Sequence, residues 1–197
     1  MLTIVIGDIH GMAAKLENLL GQIDMWCAAN ARAELRQLIF LGDYIDRGPD
    51  SRQVLQIVQR LQAEGAICLR GNHEELMLQA TESEGDLTNF LANGGDATIT
   101  SLRTPAAFRR AQEWVRALSA SHEDEVRYYV HAGIHSRRNQ ADSSPHGHAI
   151  DPRFPETLVA TAPAFTIRKP AVAIFTLGWI DPRLRKSVCF NNDTTFA

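Results

Sequence analysis

The stretch QLIFLGDYIDRGPDSRQVLQIVQRLQAEGAICLRGNHE, residues 37–74, decides the fold. QLIFL (37–41) is a short, continuous apolar run ended by Gly42, which predicts a buried strand. SRQVLQIVQRLQAEG (51–65) sets Val54, Leu55, Val58 and Leu61 on one helical face, with Asp50 in the N-cap position and Gly65 as a stop. AICL (66–69) predicts the next strand, and GNHEELMLQA begins as a loop and turns helical. Strand, glycine loop, helix, strand is the unit from which α/β folds are built. The same pattern occurs upstream. LTIVI (2–6) ends at Gly7, and Met12, Leu16, Leu19, Leu20 and Ile23 then recur at helical spacing.

Downstream, residues 86–120 read as helical insertions, with AFRRAQEWVRAL (107–118) the clearest helix, and EVRYYVHAG (125–133) returns to strand. Six of the eight prolines lie in 135–197, where only AVAIFTLGWI (171–180) reads strongly as core, so the pattern weakens past about Ser136.

A chain of 197 residues suits one domain with a substantial core. The net charge of −3 gives no general reason to expect nucleic acid or a membrane surface as partner. Residues 1–134 carry 12 basic and 18 acidic side chains and residues 135–197 carry 8 and 5, so the tail is mildly basic but unclustered. Three cysteines without a CxxC pair argue against a disulfide framework or a thiolate zinc site, and fit a reducing compartment. MLTIVIGDIHG has no basic n-region and reads as a first strand, and no segment approaches the roughly 18 apolar residues that span a bilayer. A cytoplasmic location, with no membrane or nucleic-acid partner, is expected.

In open α/β sheets, ligands bind beyond the carboxyl ends of the strands. The first three strands end there in GDIHG (7–11), GDYIDRG (42–48) and RGNHE (70–74), and the fourth in HAG (131–133). Asp8, His10, Asp43, Asp46, Arg47, Arg70, Asn72, His73 and His131 are thereby delivered to one edge. Three concentrated carboxylates repel one another, and such a cluster persists when a cation neutralises it. Carboxylate, imidazole and amide donors suit Mn, Fe, Zn or Mg and exclude soft thiolate chemistry. Two arginines beside such a site leave a hollow for an anion, phosphate above all. Each motif alone has a bland reading: turn chemistry for GDxHG, a surface ion pair for Arg47, a helix cap for Asn72, a core histidine for His73. Four clusters in order, each at a strand end, outweigh those readings.

GDIHG, GDYIDRGPDS, LRGNHEELML and HAGI resemble the signature blocks of the calcineurin-like metallophosphoesterases. The likeness is nearest to the phosphoprotein-phosphatase branch, with its bacterial and phage Ser/Thr protein phosphatases and, more distantly, the symmetrical diadenosine tetraphosphatases. FLANGGDATITSL (90–102) is similar to the NGG segment of bacterial members. The resemblance covers about residues 2–134 and leaves 135–197 as a divergent C-terminal segment of one domain, 1–197. It implies an α/β sandwich of mixed β-sheets flanked by helices. It implies two divalent ions per chain, manganese expected, with iron, zinc or magnesium the alternatives. By the same resemblance Asp8, His10 and a bridging Asp43 hold the first ion. Asp43, Asn72, His131 and one more histidine hold the second. His73, oriented by Asp46, is the general acid, and Arg47 and Arg70 clamp the phosphate. The implied reaction is attack on a phosphomonoester by a water that the ion pair activates. A phosphorylated protein or small phosphoester is the expected substrate. The alternatives are a diadenosine tetraphosphatase-like hydrolase and a degenerate member that only binds metal or phosphate.

The family pattern also has a late GHT-type segment, which supplies the last histidine, and a further arginine in a WIR-like stretch. Neither occurs here in its usual form. The GH of SSPHGHAIDP makes His148, 17 residues after His131, the candidate for the missing ligand. The competing reading makes this stretch a polar loop with incidental histidines. His146 and His135 are weaker candidates, and His122 is expected at the surface.

Overall fold

A computed structural model describes residues 2–32, 35–125, 127–132 and 172–175. Four strands form a parallel sheet in the order β3-β2-β1-β6: β1 (Leu2–Ile6), β2 (Arg36–Phe40), β3 (Ile67–Cys68) and β6 (Val172–Phe175). β1 pairs with β2 from Leu2↔Arg36 to Ile6↔Phe40, and with β6 from Thr3↔Val172 to Ile6↔Phe175. It is therefore an interior strand, and all five of its residues are buried. Its alternation explains this. Leu2, Ile4 and Ile6 join one apolar cluster, while Val5 joins Ile39, Leu69 and Tyr129 in another on the opposite face. β6 lies within the predicted core run 171–180.

The larger cluster is built by helices. α1 (Ala13–Asn30) contributes Leu16, Leu19, Ile23 and Cys27, extending the predicted apolar stripe by two turns, and α2 (Ser51–Ala63) contributes Val54, Leu55, Ile57 and Val58. α2 starts after Asp50 and stops before Gly65, whose φ of 106° is the left-handed conformation a helix end favours. Asp50 holds the cap position without a side-chain cap bond. The amide of Arg52 is met instead by Ser101 Oγ at 3.0 Å, from another helix.

α3 (Asn72–Gln79) follows β3, and the predicted helical insertion comprises α4 (Glu84–Phe90), a wide turn Leu91–Gly95, α5 (Asp96–Leu102) and α6 (Pro105–Arg116). α3 begins at Asn72 itself, so the expected loop before it is short, Arg70 and Gly71. β4 (Ser121–Glu123) and β5 (Tyr128–Val130) form an antiparallel ribbon that packs Tyr129 on the sheet's second face. Among the described residues the four strands of the larger sheet pair in parallel and the ribbon is antiparallel. Cys27 and Cys68 are free thiols, and among the described residues no helix is long and apolar enough to cross a membrane.

Candidate active site

The loop after β2 carries the centre of the site on a strained backbone. Five described non-glycine residues have positive φ, and four of them are His10 (46°), Asp43 (54°), Asp46 (71°) and Arg47 (65°). Each left-handed residue costs on the order of 1–2 kcal/mol, so their surroundings must over-determine them. Buried Glu74 does much of this. Its Oε2 accepts the amides of Asp43 (2.7 Å) and Gly71 (2.9 Å), and its Oε1 accepts that of Tyr44 (2.8 Å). One carboxylate thus ties the loop after β2 to the loop after β3. Burial and the neighbouring Asp43 charge push Glu74 up to about 7, against the pull of those amides.

Asp43 lies at the meeting point. Its Oδ2 is 3.6 Å from His10 Nε2 and 3.3 Å from His131 Nε2, and its Oδ1 accepts the amide of His73 at 3.1 Å. Burial opposes the Asp43 carboxylate, but the hydrogen bond and charge of His131, with His73 and His10, hold it below the usual range. His131 Nε2 also lies 2.9 Å from Asn72 Oδ1. Its Nδ1 is buried without a hydrogen-bond partner, 3.8 Å from Asp8 Oδ1. Burial disfavours a charged His131, yet the hydrogen bond and charge of Asp43, with Asp8 and Glu74, raise it to about 9. Such a proton performs the neutralising task that a cation would perform there.

His10 is arranged as a donor of its other nitrogen. Nδ1 donates to the carbonyl of Ile45 at 2.9 Å, which leaves the Nε2 lone pair facing the cluster. Burial lowers its pKa, with Asp43 pulling the other way. Two groups of donor atoms lie within mutual reach of a single ion: Asp8, Asp43 and His131, and His10, Asp43 and His73. Both contain Asp43, and Asp8 has His131 rather than His10 beside it. The orphaned His131 nitrogen and the carboxylate, imidazole and amide donors around Asp43 are of the kind that could hold a metal ion.

His73 is held differently. Its Nδ1 donates to Asp46 Oδ2 at 2.7 Å in a buried pair, and its ring meets that of His10 edge-on at 4.7 Å. Burial works against a charged His73, but the Asp46 hydrogen bond and the Asp43 and Asp46 charges raise it, with Arg47 opposing. The Arg47 guanidinium stands 3.1 Å from both His10 Nε2 and His73 Nε2. Arginine only donates, so both rings accept at Nε2 and carry their proton on Nδ1. Arg70 lies just before α3. Its Nε pairs with Glu75 Oε2 at 3.4 Å, in the first turn of α3.

Eight sequence-predicted residues therefore converge: Asp8, His10, Asp43, Asp46, Arg47, Asn72, His73 and His131. His148, His146 and His135 lie outside the described residues. His122 is half-buried and stacked on Tyr129, not on the open surface. Glu74, Ser51 and Thr98 were not predicted. Glu74 had a signal in the last letter of GNHE and Thr98 in the NGG-type segment.

The model of the calcineurin-like phosphoesterases matches residues 1–195, and the chain belongs to that family. The match runs through the segment that reads as divergent from its motifs. The chain is 39% identical over 92 residues to serine/threonine-protein phosphatase 2 of Escherichia coli K12, covering 47% of this chain and 38% of that one. It is 33% identical over 136 residues to the symmetrical bis(5'-nucleosyl)-tetraphosphatase of Marinomonas sp., covering 68% of this chain and 45% of that one. To the protein of the same name from Erwinia tasmaniensis it is 40% identical over 139 residues, again 68% and 45%. The chain thus spans about two fifths of the length of these curated relatives.

Proposed function

We propose that the chain is a metal-dependent phosphomonoesterase of the Ser/Thr protein phosphatase type. The observation that carries this reading is the buried Asp46–His73 pair beside the Asp43-centred donors, with Arg47 between them. Divalent ions, manganese first, held by Asp8, His10, Asp43, Asn72 and His131, with His148 as candidate last ligand, would supply positive charge and acidify the attacking water. Arg47 turns from the two imidazoles to the phosphoryl oxygens, where its planar fork is better matched. Its departure frees His73 Nε2 and removes the positive charge that opposed protonation of the ring. His73 then holds a proton at Nε2, aimed at the leaving oxygen, while Asp46 holds Nδ1. Arg70, two residues before α3, is the second candidate for the phosphate.

Proton delivery matters most when the leaving group is a serine or threonine alkoxide, which supports the protein-phosphatase reading. A covalent route has little support among the described residues. Burial pushes the Cys68 thiol up to about 12, far from a nucleophile's range, and Cys27 is also raised by burial. The second reading, a dinucleoside tetraphosphatase, is favoured by the longer alignments with relatives of that name.

Turnover of p-nitrophenyl phosphate, a phosphoserine peptide and diadenosine tetraphosphate, each with and without manganese, tests both readings. Manganese-dependent hydrolysis of the first two above the third is expected. Preference for the dinucleotide selects the second reading. Bound metal without turnover of any of the three leaves a degenerate binding module.

A further inference from the structure

Asp46 is gripped from the side away from His73. Thr98 Oγ1 donates to Asp46 Oδ1 at 2.6 Å and accepts the Asp46 amide at 2.8 Å. Thr98 and Ser51 hydroxyls are 3.0 Å apart, and Ser51 Oγ lies 3.3 Å from the same amide. Thr98, Ser51 and Asp46 are fully buried, and His73 is 1% exposed. The polarity of this chain is determined. Thr98 has one hydroxyl proton and gives it to Asp46, so Ser51 must donate to Thr98. The donation runs Ser51 to Thr98 to Asp46, crossing from α2 through α5 to the loop after β2, and His73 donates to the other oxygen of the same carboxylate. The same hydroxyls hold the amide of a residue at φ 71°.

We propose that Thr98 is a positioning residue for the reaction, setting the Asp46 carboxylate so that His73 aims its proton at the leaving group. This rests on the reading of His73 as general acid. Asp46 has two oxygens and a rotatable χ2. Without the Thr98 donor, Oδ1 is a buried unpaired acceptor, and the carboxylate gains by turning away from its bond with His73.

The test compares phenyl phosphate, whose leaving group needs a proton, with 2,4-dinitrophenyl phosphate, whose leaving group does not, in the manganese-loaded chain with metal content measured. General acid catalysis contributes roughly 10²–10⁴-fold, so Thr98→Val should lower kcat for phenyl phosphate about 10-fold to 100-fold and for the dinitrophenyl ester less than about threefold. Thr98→Ser, which keeps the hydroxyl, should return most of the loss. Equal effects on the two esters, or none, overturn the proposal. His73→Asn is run beside it. If it too treats both esters alike, the acid reading has failed; if it separates them and Thr98→Val does not, only the present proposal has. Should Thr98→Val not fold, Ser51→Ala reads the same donation one hydroxyl earlier, with a smaller separation of the same sign expected and none overturning the idea. In the metal-free chain the Nδ1 proton resonance of His73, identified by its loss in His73→Asn, should shift in these variants. An unmoved resonance overturns the proposal without reference to turnover.

Discussion

Asp43 and Asp46 lie three residues apart in one loop, both buried and both left-handed, yet their oxygens are treated in opposite ways. Asp46 spends Oδ2 on His73 at 2.7 Å and Oδ1 on Thr98 at 2.6 Å, so the protein satisfies it completely. Asp43 spends Oδ1 on an amide, while its Oδ2 has imidazole nitrogens at 3.3 and 3.6 Å, longer contacts than either that Asp46 makes. The contrast separates two uses of a carboxylate. One completes its bonds inside the protein and holds a neighbour still. The other keeps an oxygen available at the centre of a donor cluster.

The comparison breaks most sharply at Asp43. Asp43→Asn removes the charge on which both donor groups depend, so metal affinity should collapse and manganese-dependent turnover should fall on the order of 10³-fold or more. Isothermal titration with manganese and the p-nitrophenyl phosphate rate measure both. Retention of two ions would remove Asp43 from the centre. On the Asp46 side the signature is the reverse. His73→Asn should lower kcat for an alkyl or phenyl ester about 10²-fold while leaving metal content nearly intact, since a general acid acts on the leaving group and not on the ions. Metal loss in this variant would make His73 a ligand, as its place in the His10–Asp43 group allows, and the two aspartates would no longer differ in kind.

How much of this was legible depended on whether the signal was local. The strand ends and their clusters could be read because a parallel strand stops at its loop, and Gly7 and Gly42 mark the stops in sequence. Asp43, His10 and His73 were legible as residue types at that edge. Glu74 escaped because its partners are the backbone amides of Asp43 and Tyr44, 31 and 30 residues away, and an amide carries no residue signature. Thr98 escaped because it acts across 52 residues, a contact created only when α5 packs over the start of α2. The Arg70–Glu75 pair escaped because its partners are five residues apart, with Arg70 outside α3, a separation that no helical spacing marks. The parallel partner of β1 at 172–175 was visible as a core run, but no pattern in the sequence names the strand it joins.

The finest test of the comparison is Gly94, because it loads the loop beside Asp46 without touching either aspartate. Gly94 has φ 95°, its carbonyl accepts the Arg47 amide at 3.1 Å, and a Cβ there would meet Arg47 N at 2.9 Å and Cγ at 3.0 Å. Gly94→Ala therefore adds backbone strain and pushes on Arg47. Gly65 supplies the control. Its φ is 106°, but a Cβ would meet nothing within 4 Å, so Gly65→Ala carries the strain alone. Each should lose about 1 kcal/mol from backbone conformation, and Gly94→Ala roughly 1 kcal/mol more from overlap. Asp46 is pinned by Thr98 and Ser51 and Asp43 by Glu74, so the displacement should fall on Arg47. KM for p-nitrophenyl phosphate should rise a few-fold in Gly94→Ala, about threefold, with kcat and metal content close to those of Gly65→Ala, as expected for a residue that binds the phosphoryl group without moving its proton. If kcat falls instead and the leaving-group dependence changes, the strain has reached Asp46, and the clamp that distinguishes it from Asp43 is weaker than its bond lengths imply.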